Sequence, residues 1–247
     1  SRYSIQLVNT HYSILQEEKL LQLFKAQRPA GLVVTGINQT DESRAILESM
    51  NCPIVQIMEL GPDPVDMMVG FSHNTAAFEV ISHLIGLNFK RIGFLGARMD
   101  PRVQRRLEGY TDAMKRASLY DPRLIIATPV PTSVTMGGTL FADLLMKAPD
   151  IDAVFCVNDD LALGTLFECQ RRQIQVPEDI AIVGFNDLDY MASAVPPLSS
   201  VRTNRYDMGK TAITMVMDAI EGKRPATPVV DLGYELMIRR SSAPRRT

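Results

Sequence analysis

The chain has 247 residues, 46% hydrophobic and 22% charged, with 26 basic against 28 acidic side chains. That is apolar surface enough for one large or two small globular domains. The net charge of -2 supplies none of the basic face that a chain gripping DNA by itself needs.

The opening SRYSIQLVN has no signal-peptide shape. It moves at once into an apolar alternation, read as a strand at Ser4–Val8. A helical pattern follows near Leu15–Lys25, then a strand at Gly31–Thr35, a helix at Asp41–Ser49 and strands at Pro53–Ile57 and Met67–Gly70. The same rhythm resumes with a helix at Thr75–Leu87, a strand at Arg91–Leu95 and helices at Pro101–Ala117 and Thr135–Met146. A strand at Ala153–Val157, a helix at Leu161–Arg171, strands at Ile180–Phe185 and near Ser200–Arg202, and a helix at Tyr206–Ile220 complete it. Strands alternating with helices predict an α/β fold with mainly parallel sheets covered on both faces. AVFCV and IAIVGF are continuous apolar runs, as strands buried on both faces require. Two α/β halves of similar rhythm meet at a seam near Phe71.

No apolar run reaches the ~18 residues that would cross a bilayer, so no membrane partner is expected. Cys52, Cys156 and Cys169 follow no disulfide or metal spacing and read as buried thiols of a reducing, cytoplasmic compartment. The three histidines, His11, His73 and His83, are scattered, so no metal is expected. Neither a glycine-rich phosphate loop nor a nucleophile elbow is present, and no cofactor is expected.

Three strand ends carry the polar chemistry. Ligands of open α/β sheets bind beyond the carboxyl ends of the strands, and Asn158 and Asn186 each follow a strand directly. An Asn offers a donor and an acceptor, which suits a hydroxyl-rich ligand. Asp159 and Asp160 sit at a helix start, where carboxylates satisfy free N–H groups; on a plainer reading all four residues are caps and turn formers. At the third end, Asp100-Pro101 is a helix start signal. Arg102 and Arg106, four apart, share a face of that helix, with Arg98 in the loop before it. Two guanidiniums near a helix N-terminus suit a carboxylate or phosphate; the alternative is a solvated basic face, the preferred reading for Arg105. Nothing places a nucleophile beside the carboxylates, so the pattern leans toward holding a ligand rather than reacting with it.

VGFSHNTAAFEVISHLIGLNFKRIGFLGA, RRLEGYTDAM, AVFCVNDDLALGTL, VPEDIAIVGFNDLDY, PPLSSVRTNRYDMG and ELMIRRSS together resemble the effector-binding core of the lactose/galactose-repressor family, in order and over nearly the whole chain. Within it, VGFSHNTAA, LGARMDPR and VFCVNDDLALGTLFECQRRQIQVPEDIAI are most similar to repressors of gluconate-utilisation genes. The resemblance implies two Rossmann-like subdomains, periplasmic-binding-protein-like, joined by three crossovers. The N-subdomain would be residues 1–70 plus 203–225, and the C-subdomain 71–202 plus 226–247. The family's first strand and helix are not matched, and its helix-turn-helix headpiece lies outside this sequence. Its effector contacts carry over to Glu59, Phe71, Arg102, Arg106, Asn158 and Asn186. Asn186 stands where many members have Asp, and Ser133 where many have an aromatic, departures that favour a small acid over a neutral ring sugar.

The resemblance thus implies the core of a ligand-responsive transcriptional repressor, not an enzyme. Its effector would be a sugar acid such as gluconate, and it would touch operator DNA only through the headpiece. It also implies a homodimer that uses the strand near Ile5–Val8, Leu163 and Phe167 on helix 161–171, and Met191 in the loop Asp189–Ala194. The competing readings are a periplasmic transport receptor of the same fold and an enzyme acting on a sugar acid.

Overall fold

The computed structural model describes residues 3–244. In chain order the elements are α1 (Ile14–Gln27), β1 (Leu32–Thr35), α2 (Asp41–Glu48), β2 (Ile54–Ile57), β3 (Met67–Gly70), α3 (His73–Gly86), β4 (Ile92–Ala97), α4 (Pro101–Arg116), β5 (Ile125–Thr128) and α5 (Val134–Lys147). There follow β6 (Ala153–Cys156), α6 (Asp159–Arg171), β7 (Ala181–Asn186), α7 (Asp189–Ser193), β8 (Ser199–Thr203), α8 (Arg205–Ile220), β9 (Val229–Asp231) and β10 (Tyr234–Met237).

They form two α/β units, and the chain passes between them after Phe71, Thr203 and Gly233. The first holds a four-stranded sheet in the order β1-β2-β3-β9, every pair parallel. Its helices begin where side chains accept from otherwise unpaired N–H groups: Ser13 from Gln16 at α1, Thr40 from Ser43 at α2. Leu21, Ile46, Leu47 and Ile54 form one buried cluster. Side chains of this kind contribute roughly 1.5–3 kcal/mol each when removed from water. On α8, Met208, Ala212, Met215 and Val216 are buried, and a Cβ on Gly31 would meet Val216 Cγ1 at 2.3 Å, so the glycine lets β1 start against this helix.

The second unit holds six strands in the order β10-β8-β7-β6-β4-β5, parallel except for β10. Every residue of β4 and β6 is buried, which explains their unbroken apolar sequences. Phe94, Phe155 and Phe185 pass along the sheet with ring centroids 5.9 and 6.4 Å apart. Tyr110 of α4 joins them, its hydroxyl donating to the Ile92 carbonyl at 2.8 Å; burial pushes the phenol pKa well up.

Three expectations are corrected. The segment 4–8 is not a strand: no described strand pairs with it, and Ile5 and Leu7 stand in solvent at 91% and 93% exposure. An apolar alternation becomes a strand only when a neighbour takes its hydrogen bonds. Residues 226–233 belong to the first unit, because β9 pairs with β3 over Met68–Gly70. Met191 is fully buried within the second unit, where its Cε is 2.8 Å from the position a Cβ on Gly184 would take, so it is a core residue. The sequence pattern does not announce β5, β9 and β10, short strands at the edges of the two sheets.

Candidate functional site

The site is built at the carboxyl ends of β6 and β7, in the second unit. Asp100 accepts from the N–H groups of Arg102 and Val103 and so starts α4 as the Asp-Pro pair predicts. The same carboxylate occupies the helix N-terminus, so those two N–H groups are not what would meet an anion. Arg102 lies on the first turn with its Nε 3.6 Å from Asp100, a close counter-charge.

One turn on, Arg106 is held on three sides. Its Nε donates to His73 Nδ1 at 3.1 Å, its Nη1 donates to the Val157 carbonyl, and its Cζ lies 3.7 Å from the centroid of Phe185. Val157 directly follows β6 and Phe185 is the penultimate residue of β7. The guanidinium therefore spans the ends of two neighbouring strands, at 6% exposure. A hydrogen bond from a charged group contributes about 1.5–3 kcal/mol, and a desolvated cation–π contact up to about 2. Such groups stabilise one arrangement of the side chain over its many free rotamers.

Gly109 makes this possible. It sits one turn beyond Arg106, and a Cβ there would lie 2.1 Å from the Asn74 carbonyl. Only a bare backbone lets α4 approach the start of α3 so closely, which brings His73 to Arg106. His73 and Phe185 are the two residues of this cluster that sequence reasoning left unassigned. The available signal was FSHN, a His at the first helical position directly after the Ser72 cap.

Asn158 is the N-cap of α6, its Oδ1 accepting from Leu161 N–H at 3.0 Å. Its acceptor is thus spent on the helix, and its amide nitrogen is the part suited to donate to a hydroxyl. Asn186 ends β7 with φ 115°, followed by Asp187 at φ 53°. Backbone in this region is costly for a residue with a Cβ and persists only where its surroundings enforce it. Asp187 supplies the enforcement: its carboxylate accepts from Arg202 Nε at 2.9 Å and Arg239 Nη1 at 2.6 Å, and its N–H donates to Ser200 Oγ.

Asp159 and Asp160 are not caps. The buried Asp159 accepts from Leu188 N–H and Ser200 Oγ, both at 2.7 Å, and Asp160 accepts from the Tyr190 hydroxyl at 2.7 Å. Both tie α6 to the loop after Asn186. Burial pushes Asp159 up to about 6, against its hydrogen bonds from the Leu188 N–H, the Ser200 hydroxyl and the Phe185 backbone, with the nearby Asp187 carboxylate adding to the rise.

Of the six carried-over effector residues, Arg102, Arg106, Asn158 and Asn186 fall at this one end of the second unit. Glu59 and Phe71 fall in the first, just beyond the ends of β2 and β3, and both are buried. Gly70 lets β3 pass the Glu59 backbone, where a Cβ would be 2.3 Å from its carbonyl oxygen. Ser133 accepts from Met136 N–H as the cap of α5. The Cys156 and Cys169 thiols are raised to about 12 by burial, so they are inert at neutral pH. Among the described residues, no three His, Cys, Asp or Glu side chains are placed to hold a metal, and no helix is long and apolar enough to cross a membrane.

A family described as a periplasmic binding protein-like domain matches residues 81–242. The HTH-type transcriptional regulator GntR of Pseudomonas aeruginosa is 42% identical over 234 residues, 95% of this chain and 68% of that protein. This chain belongs to the lactose-repressor family of transcription regulators. Solved structures of transcription regulators share its fold closely. Transcription regulator GntR from Chromobacterium violaceum superposes with a TM-score of 0.93 at 41% identity, covering 97% of this chain and 88% of that one. A LacI-family regulator from Silicibacter pomeroyi gives 0.94 at 25% identity, covering 100% and 74%.

Proposed function

We propose that this lactose-repressor-family chain is the effector-binding and dimerisation core of a ligand-responsive repressor that senses a small sugar acid, with gluconate as the first candidate. The observation that carries the reading is the immobilised Arg106 guanidinium at the ends of β6 and β7, with Asn158 and Asn186 beside it on the same strand ends. A fixed cation suits a carboxylate, and the two amides suit hydroxyls. Arg102 contributes less net charge than the sequence suggests, because Asp100 lies against it. Arg102 completes the proposed contacts of the second unit, and Glu59 and Phe71 are the contacts proposed for the first. Phe167 at 41% exposure and the half-buried Leu163 form the proposed dimer surface, whereas Met191 lies in the core of the second unit.

The effector would act by preferring one of two arrangements of the core over another, shifting an equilibrium by its difference in affinity for the two. Operator contact would be made by a helix-turn-helix headpiece, in the cytoplasm. The regulator relatives support this reading over a transport receptor or a sugar-acid enzyme.

Calorimetry with gluconate and glucose on the native protein and on Arg106→Lys tests it. Lys keeps the charge but loses the planar fork. Gluconate should bind more tightly than glucose, and the variant should lose about tenfold for the acid, a loss of about 1.4 kcal/mol, and much less for the sugar. Equal binding of acid and sugar by the native protein refutes the acid reading.

A further inference from the structure

We infer that His73 is the positioning residue for Arg106: it fixes which way the guanidinium faces, and through it the preference for an acid. The inference rests on the reading of Arg106 as the acid-binding cation, and its first test does not.

The argument starts from donors and acceptors. A guanidinium carries five N–H donors and no acceptor and stays charged at every working pH. Arg106 Nε therefore donates, and His73 Nδ1, 3.1 Å away, must accept. A ring nitrogen that accepts carries no proton, so the imidazole is neutral with its proton on Nε2. His73 is completely buried and its ring lies against Phe185, centroids 5.7 Å apart and planes 27° from parallel. The acceptor is thus as rigid as the sheet it leans on.

Three contacts orient the guanidinium. Phe185 sets its plane, the Val157 carbonyl takes Nη1, and His73 takes Nε. Removing His73 removes the acceptor of Nε, and with it one of the contacts that keep the group from turning about its long side chain. With His73 in place, the direction of the Nε–H is set. Preorganisation of this kind improves affinity by removing the entropy that binding would otherwise cost. His73 comes from α3, whereas Arg106 comes from α4, so the close helix approach at Gly109 is what places the acceptor.

Two substitutions separate positioning from bulk. His73→Asn places an amide oxygen close to where Nδ1 stood and keeps an acceptor. His73→Leu keeps the volume and has none. Nitrogen-detected NMR on the ligand-free protein reads the imidazole tautomer and the solvent exchange of the Arg106 Nε–H. The expected result is a His73 proton on Nε2 and a slowly exchanging Arg106 Nε–H, retained in His73→Asn and lost in His73→Leu. A proton on Nδ1, or unchanged protection in the Leu variant, overturns the inference whatever the ligand is.

The ligand then reads the consequence. Gluconate affinity should fall about tenfold in His73→Leu, the size expected from losing one charged hydrogen bond. It should stay within about threefold of native in His73→Asn, and glucose should be little affected by either. Equal losses in both variants, or a Leu variant that binds gluconate as the native protein does, overturns it. If the native protein ignores gluconate while the NMR result holds, positioning stands and the acid reading of the site falls.

Discussion

Replacing Asp159 with Asn tests the buried carboxylate that anchors the loop after Asn186. Asp159 has no solvent exposure, and burial pushes it from the usual carboxylate range up to about 6. A raised folded-state value means that the native protein binds the proton more tightly than the unfolded chain does. Stability from this group is therefore fully present below the unfolded value near 3.8 and lost as pH rises through about 6. The rise of about two pH units corresponds to about 3 kcal/mol over the full range, at 1.36 kcal/mol per unit. Between about pH 5 and pH 7, where other carboxylates change little, it leaves about 1 kcal/mol. Asn still accepts from Leu188 N–H with its oxygen, and its nitrogen donates to Ser200 Oγ in the reverse of the native bond, without a charge to bury. Urea unfolding of native and Asp159→Asn proteins at several pH values isolates the difference. The native protein should lose about 1 kcal/mol relative to the variant on going from pH 5 to pH 7. A difference between the two that is flat with pH would refute the reasoning and mean that the hydrogen bonds already compensate the charge in full.

Gly109→Ala should destabilise the protein by about 1–3 kcal/mol in urea unfolding, because the new methyl would lie 2.1 Å from the Asn74 carbonyl; no loss would mean that the two helices part freely. Met191→Ala should cost about 2–5 kcal/mol as a core cavity and leave the molecular mass in light scattering unchanged. Phe167→Glu should do the reverse, lowering the mass while leaving the unfolding curve of the monomer within about 0.5 kcal/mol, and an unchanged mass would remove helix α6 from the proposed dimer surface.

The order of strands and helices was legible because burial on both faces leaves continuous apolar runs and helix starts leave chemical marks. The strand read at Arg91–Leu95, observed at Ile92–Ala97, and the helix start at Asp100-Pro101 are examples: the strand is displaced by one residue at its start and two at its end, and the helix starts where its signal lies. The positions of Asn158 and Asn186 directly at strand ends were legible for the same reason, as was that of Arg106 on the helix that Asp100-Pro101 starts. What the residues do there was not. Asn158 spends its acceptor on Leu161, Asp159 reaches 29 positions along the chain to Leu188, and Arg106 reaches 33 back to His73. A lone histidine and a strand phenylalanine look like core residues in any single sequence, and only the helix approach at Gly109 makes them the walls of a cation site. Segment 4–8 failed in the opposite sense: its alternation is a local property, whereas a strand exists only when another strand accepts its hydrogen bonds. Local pattern determines which elements form and where they begin, because caps and periodicity act within a few residues. Partnership, charge state and orientation are decided by the tertiary structure, because they depend on groups brought together from distant parts of the chain.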